Sequence, residues 1–136
     1  QACCLYATAP FVRPVDLREG LARLDAAGAD FAFSVTSFAF PIQRALRLDD
    51  EGRVGMMWPE HMATRSQDLE HAWHDAGQFY WGRAAAFLAQ VPLYSKAAVA
   101  VPLPRHRVQD IDTEEDWRRA ELMFQVLQAE SAGPPR

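Results

Sequence analysis

Apolar and polar positions alternate along the chain in two rhythms. Cys3 to Ala7 is an unbroken apolar run, which suits a strand covered on both faces. Thr8-Ala9-Pro10-Phe11 breaks it. From Pro14 to Ala27, Leu17, Leu21 and Leu24 recur at helical spacing, with Pro14 suited to a first turn and Gly28 to a helix end. Ala29 to Ser37 returns to strand character, because Phe31, Phe33 and Val35 alternate with small or polar residues. The three segments predict a β-α-β unit with parallel strands and a right-handed crossover.

The middle of the chain changes character. Pro41 to Leu48 and Arg53 to Trp58 predict a hairpin around the turn cluster Asp49-Asp50-Glu51-Gly52. Residues 41–73 are expected to form an inserted arm whose Met56, Met57 and Trp58 either meet a partner or pack on their own domain. Ala76 to Trp81 predicts a strand in which Gly77 permits a close approach of backbone or ligand. Arg83 to Gln90 predicts a short helix ended by Pro92, and Ala97 to Leu103 another strand. A last helix is expected over Thr113 to Glu130, with Trp117, Ala120, Phe124 and Leu127 on one face. Alternating strands and helices make the class α/β, one domain over 1–130 with a disordered tail at 131–136.

Composition narrows the function. A length of 136 residues suits one domain with an ordinary core. The net charge of −4 and pI near 5.5 argue against a nucleic-acid surface, which is usually basic. No apolar run is long enough to cross a bilayer, so no membrane partner is expected. Cys3 and Cys4 are adjacent, a poor geometry for a disulfide, and a reducing cytoplasm is the expected setting. The chain opens on a strand with no initiator Met, so preceding residues are expected to be missing.

The candidate chemistry gathers at Asp110-Ile111-Asp112, between the last strand and the last helix. If the three residues are extended, both carboxylates project to one side. Two hard oxygen donors there can hold Mg²⁺ together with substrate phosphates, at the strand ends where open α/β sheets bind ligands. The competing reading is structural. Asp112 or Thr113 can cap the following helix, with Asp116 completing a capping box from Thr113. The dipeptide alone favours the cap for Asp112 and leaves Asp110 open. His71 and His74 have helical spacing, but without a third ligand they read as surface histidines.

Five blocks then carry a resemblance: Tyr6 to Phe11 (YATAPF), Phe40 to Ala45 (FPIQRA), Arg65 to Glu70 (RSQDLE), His74 to Gly82 (HDAGQFYWG) and Val108 to Trp117 (VQDIDTEEDW). In this order the chain resembles the pseudaminic acid cytidylyltransferases, relatives of the CMP-sialic acid synthetases. The resemblance implies a Rossmann-like nucleotidyltransferase mixed sheet with a β-hairpin dimerisation arm. It implies a homodimer and a Mg²⁺-dependent reaction of CTP with a nine-carbon acidic sugar. By the same resemblance Asp110 and Asp112 are the metal and catalytic carboxylates, and Thr8 binds cofactor. Arg65, Gln67, Gln78 and Tyr80 contact the sugar, and Arg44 reaches from the arm into a partner's site. Two departures stand out. Tyr6 occupies a place where sialic acid synthetases carry glutamine, which favours the pseudaminic branch. The family's Gly-rich basic loop for the triphosphate occurs nowhere in the chain, so an N-terminally truncated, catalytically poor portion is expected. The alternatives are a synthetase for sialic or legionaminic acid, and a non-catalytic sugar-binding or dimerisation module.

Overall fold

The computed structural model describes residues 1–132, with the side chains of 131 and 132 undescribed. Two compact units make up the chain: residues 1–36 with the part from Asp75 onward, and residues 37–74.

The first unit is built on a four-stranded sheet of β1 (Ala2–Leu5), β2 (Phe31–Ser37), β5 (Trp73–Gly82) and β6 (Ala98–Pro102), in the order β1-β5-β2-β6. β1 runs antiparallel to β5, with Leu5 opposite Phe79, and β2 runs parallel to β6, with Phe31 opposite Ala98. The sheet is therefore mixed and the class α/β. One expectation needs correcting: the strands of the predicted β-α-β unit do not pair, because β5 lies between them. β1 is also largely exposed rather than covered on both faces, since it is an edge strand among the described residues. The apolar run alone could not distinguish these arrangements, because pairing depends on a strand far along the chain, with Leu5 opposite Phe79.

Local sequence explains the helices. α1 (Pro14–Ala26) starts on proline and stops where Gly28 turns left-handed at φ 59°. There the Gly28 and Ala29 amides donate to the Asp25 and Leu24 carbonyls, a Schellman ending. Leu24, Phe79, Ala32, Val101 and Leu103 form the core beneath α1, with Leu17 and Leu21 packed against it. Gly20 is required there, since a Cβ would lie 2.8 Å from the Phe79 ring and 2.9 Å from that of Trp81. α2 (Ala84–Leu88) is shorter than its pattern and ends with Gln90 at φ 52°.

α3 (Glu114–Ala132) continues two residues into the expected tail, whose remaining residues 133–136 lie outside the described ones. Its buried positions are Ala120 and Leu127, packed on Phe11 with Met123 and Ile111. Trp117 and Phe124, expected on the same face, are each 53% exposed. Apolar residues surround this helix, so periodicity alone did not select the packed stripe.

The second unit holds a short hairpin, β3 (Leu46–Leu48) and β4 (Val54–Met56), with Leu46 opposite Met56. Asp49 closes its turn by accepting from the Glu51 and Arg53 amides, and Gly52 takes a positive φ of 78°. Three 3₁₀ turns, at Ile42–Arg44, Pro59–His61 and Ser66–Asp68, make up much of the rest.

Candidate functional site

The Asp110 carboxylate is fixed from three directions. The Thr8 hydroxyl donates to its Oδ1 at 2.7 Å, across 102 residues of sequence, and the Ile111 amide donates to the same oxygen at 3.1 Å. Its Oδ2 rests against Gly77, where any Cβ would sit 3.1 Å away. Gly77 adopts φ 62°, so glycine is required twice over, for conformation and for space. A close approach of backbone or ligand is expected at Gly77, and the group that approaches is the Asp110 side-chain carboxylate.

Asp112 is exposed, and its amide donates weakly to Asp116 Oδ2 at 3.4 Å. The cap is Thr113. Its hydroxyl accepts from the Asp116 amide at 3.2 Å while Asp116 Oδ2 accepts from the Thr113 amide at 3.0 Å, a reciprocal capping box. The Thr113 hydroxyl beside it, with the Thr113 and Asp112 amides and Gln109, holds the Asp116 carboxyl below its usual range. Of the two caps the sequence offered, Asp112 and Thr113, it is Thr113 that fills the role. Among the described residues no group of three or more His, Cys, Asp or Glu is placed to hold a metal. His71 is exposed, and the His74 ring lies against Phe38 at 4.7 Å.

The segment carrying these aspartates is anchored from below. Arg107 makes a two-pronged ion pair with Asp16 of α1, at 2.6 and 3.2 Å, with both side chains nearly buried. The Arg107 carbonyl accepts from Gln78 Nε2 at 2.5 Å. Gln78 is fully buried, and its Oε1 has no partner among the described residues. Through this bond Gln78 ties β5 to the segment that leads to Asp110.

On the sheet face that carries Tyr80, a cleft of about 410 Å³ is lined by Cys4, Tyr6, Phe31, Tyr80, Phe87 and Leu93, with Gln90 and Val91 at its side. Tyr80 packs between the rings of Tyr6 (5.1 Å) and Phe33 (6.0 Å). Its hydroxyl donates to Asp75 Oδ2 at 2.7 Å, and the Tyr94 hydroxyl donates to the same oxygen at 2.7 Å. Burial, and then the Asp75 carboxylate, hold the Tyr80 phenol far above its ordinary ionisation range. The hydrogen bond to Asp75, and then burial, push Tyr94 up to about 12. Asp75 Oδ1 accepts from the Gly77 amide at 2.8 Å. Asp75 and Tyr94 were not singled out from sequence, although Asp-x-Gly is a turn signature that marks Asp75.

Thr8, Gln78, Tyr80, Asp110 and Asp112 thus belong to the first unit, and Arg44, Arg65 and Gln67 to the second. Arg65 pairs with Asp68 at 2.8 Å on an exposed surface, and Gln67 is exposed. Arg44 donates to the Met62 carbonyl at 3.3 Å and, closer, to that of Thr64, holding its own unit together.

A mixed α/β sheet with carboxylates beyond the carboxyl end of its parallel pair is compatible with the Rossmann-like class, whose ligands bind at strand ends. The chain is homologous to the pseudaminic acid cytidylyltransferases. Proteins of that name from two Campylobacter jejuni strains are 39% identical to it over 124 residues, covering 91% of this chain and 53% of theirs. A Helicobacter pylori protein is 33% identical over 128 residues, covering 93% of this chain and 24% of its own. Its name joins a pseudaminic acid cytidylyltransferase to a UDP-2,4-diacetamido-2,4,6-trideoxy-β-L-altropyranose hydrolase. The chain spans about half the length of the Campylobacter relatives. No protein-family model matches it.

Proposed function

We propose that this chain carries the metal carboxylates and the sugar cleft of a cytidylyltransferase that activates pseudaminic acid with CTP. The single observation that carries the reading is the Asp110 carboxylate, seated by Thr8 and Gly77, in a chain 39% identical to enzymes so named. The anomeric hydroxyl of the sugar attacks the α-phosphorus of CTP, the bond to the bridging oxygen breaks, pyrophosphate leaves, and the hydroxyl proton passes to solvent, giving the CMP-sugar. Such a transfer depends on positioning and charge neutralisation more than on covalent help. The donor set suits a hard cation: Asp110 is oriented by a hydroxyl, has its second oxygen in a cradle that a Cβ would fill, and has an exposed Asp112 two residues on. Asp110 and Asp112 would hold Mg²⁺, which supplies neutralising charge for the phosphates.

The cleft suits the sugar. Its walls are mainly apolar, with the rings of Tyr6 and Tyr80 among them. Arg65 and Gln67 are candidate contacts for the sugar carboxylate and hydroxyls, and the arm at 41–73 is the candidate dimer contact. With Arg44 bonded to carbonyls of its own unit, reaching a partner's site requires it to exchange those bonds.

Residues 1–136 include no glycine-rich basic loop, so CMP-sugar formation by this chain alone should be slow. The test combines the chain with CTP, Mg²⁺ and pseudaminic acid, and follows CMP-sugar by mass spectrometry. Slow product formation, lost in Asp110→Asn and in Asp112→Asn, is expected. Sugar binding with neither product nor CTP binding would replace the enzyme with a binding module.

A further inference from the structure

We propose that Asp75 is a positioning residue that couples the sugar cleft to the Asp110 carboxylate. The inference rests on the reading of Asp110 as a metal ligand and goes beyond it, because Asp75 is neither a ligand nor a lining residue of the cleft. Its two oxygens serve different masters. Oδ2 accepts from the phenols of Tyr80, a cleft wall, and Tyr94, at 2.7 Å each. Oδ1 accepts from the Gly77 amide at 2.8 Å, within β5, where Gly77 takes φ 62°.

That conformation has a consequence for Asp110. Gly77 presents a bare Cα to Asp110 Oδ2, and a Cβ there would come within 3.1 Å of it. Thr8 holds the other oxygen at 2.7 Å. The carboxylate is therefore caught between a hydroxyl and a backbone whose shape Asp75 maintains. A sugar pressing on Tyr80 moves the group that holds Asp75, and through Gly77 the seat of Asp110. The chain just past β1 contributes to the linkage: Tyr6 packs on Tyr80, and its amide donates to the Gln78 carbonyl at 3.0 Å, two residues before Thr8. Groups that orient a metal ligand without touching the metal commonly contribute 10–100-fold to its affinity, on the order of magnitude expected here.

The experiment titrates the chain with Mn²⁺, followed by its electron paramagnetic resonance signal, with near-ultraviolet circular dichroism as the check on folding. Asp110→Asn should abolish binding. Asp75→Asn and Thr8→Val should weaken it by roughly 10-fold or more while the dichroism is retained, and Thr8→Ser should restore it. Tyr94→Phe removes one of the two phenols and tests the coupling should Asp75→Asn fail to fold. Binding lost in Asp110→Asn but unchanged in Asp75→Asn, Tyr94→Phe and Thr8→Val would overturn the coupling and leave the metal reading standing. No Mn²⁺ binding by the unaltered chain, or equal binding by Asp110→Asn, would overturn both.

Discussion

Arg107 and Asp16 meet in a buried, two-pronged ion pair, 91 residues apart in sequence. The pair ties the start of α1 to the segment that leads into Gln109 and Asp110. Removing one partner leaves a desolvated charge, and such losses cost about 3–5 kcal/mol. Asp16→Leu alone should therefore lower the urea midpoint strongly. Arg107→Met combined with Asp16→Leu should recover much of the loss, because an apolar pair of similar volume is often neutral. Equal midpoints for the single and double variants would show that the pair is not the source of the cost.

Gln90 carries a backbone conformation better suited to glycine. At φ 52° it closes α2, with the Val91 amide donating to the Ala86 carbonyl at 3.1 Å and the Gln90 amide to that of Phe87 at 3.1 Å. A side chain in this left-handed region costs about 1–2 kcal/mol, a cost that glycine avoids. Gln90→Gly should raise stability by about 1 kcal/mol in thermal or urea unfolding. A fall instead would mean that the glutamine side chain, at the side of the cleft, makes contacts worth more than the backbone penalty.

The elements that could be read from sequence are those whose causes are local. Leu17, Leu21, Leu24 and Gly28 define α1 within fifteen residues, and the Thr113–Asp116 box sets the start of α3 within four. What could not be read depends on distant partners. β5 inserts between β1 and β2, so the β1 run looked like a central strand. Asp110 was visible as an acidic residue at a strand exit, but its Thr8 partner lies 102 residues away. Asp75 was hidden in a crowd of polar residues, since its importance comes from two phenols that arrive 5 and 19 residues later. Gln78 was legible as polar in an apolar strand, yet nothing in its neighbours announced the Arg107 carbonyl.

Asp116 offers a pH test of the helix start. Its carboxylate accepts from the Thr113 hydroxyl at 2.7 Å and from the Thr113 amide, and its folded ionisation lies below its ordinary 3.8. A group depressed on folding stabilises the native state above its unfolded value, and that stabilisation is lost as pH falls through the folded one. The capping box should therefore contribute in full well above 3.8 and fade on the acid side of it. Thr113→Ala removes the largest cause, the hydroxyl hydrogen bond, so the Asp116 carboxyl should titrate at higher pH. Carbon-13 chemical shifts of the Asp116 carboxyl, followed in both proteins from neutral to acid, measure this directly. The variant should also begin α3 later, with faster amide exchange at Asp116 and Trp117, because one of the unpaired first-turn donors has lost its acceptor. An unchanged titration with unchanged exchange would mean that the box is a geometric coincidence rather than the device that starts the helix just after Asp112.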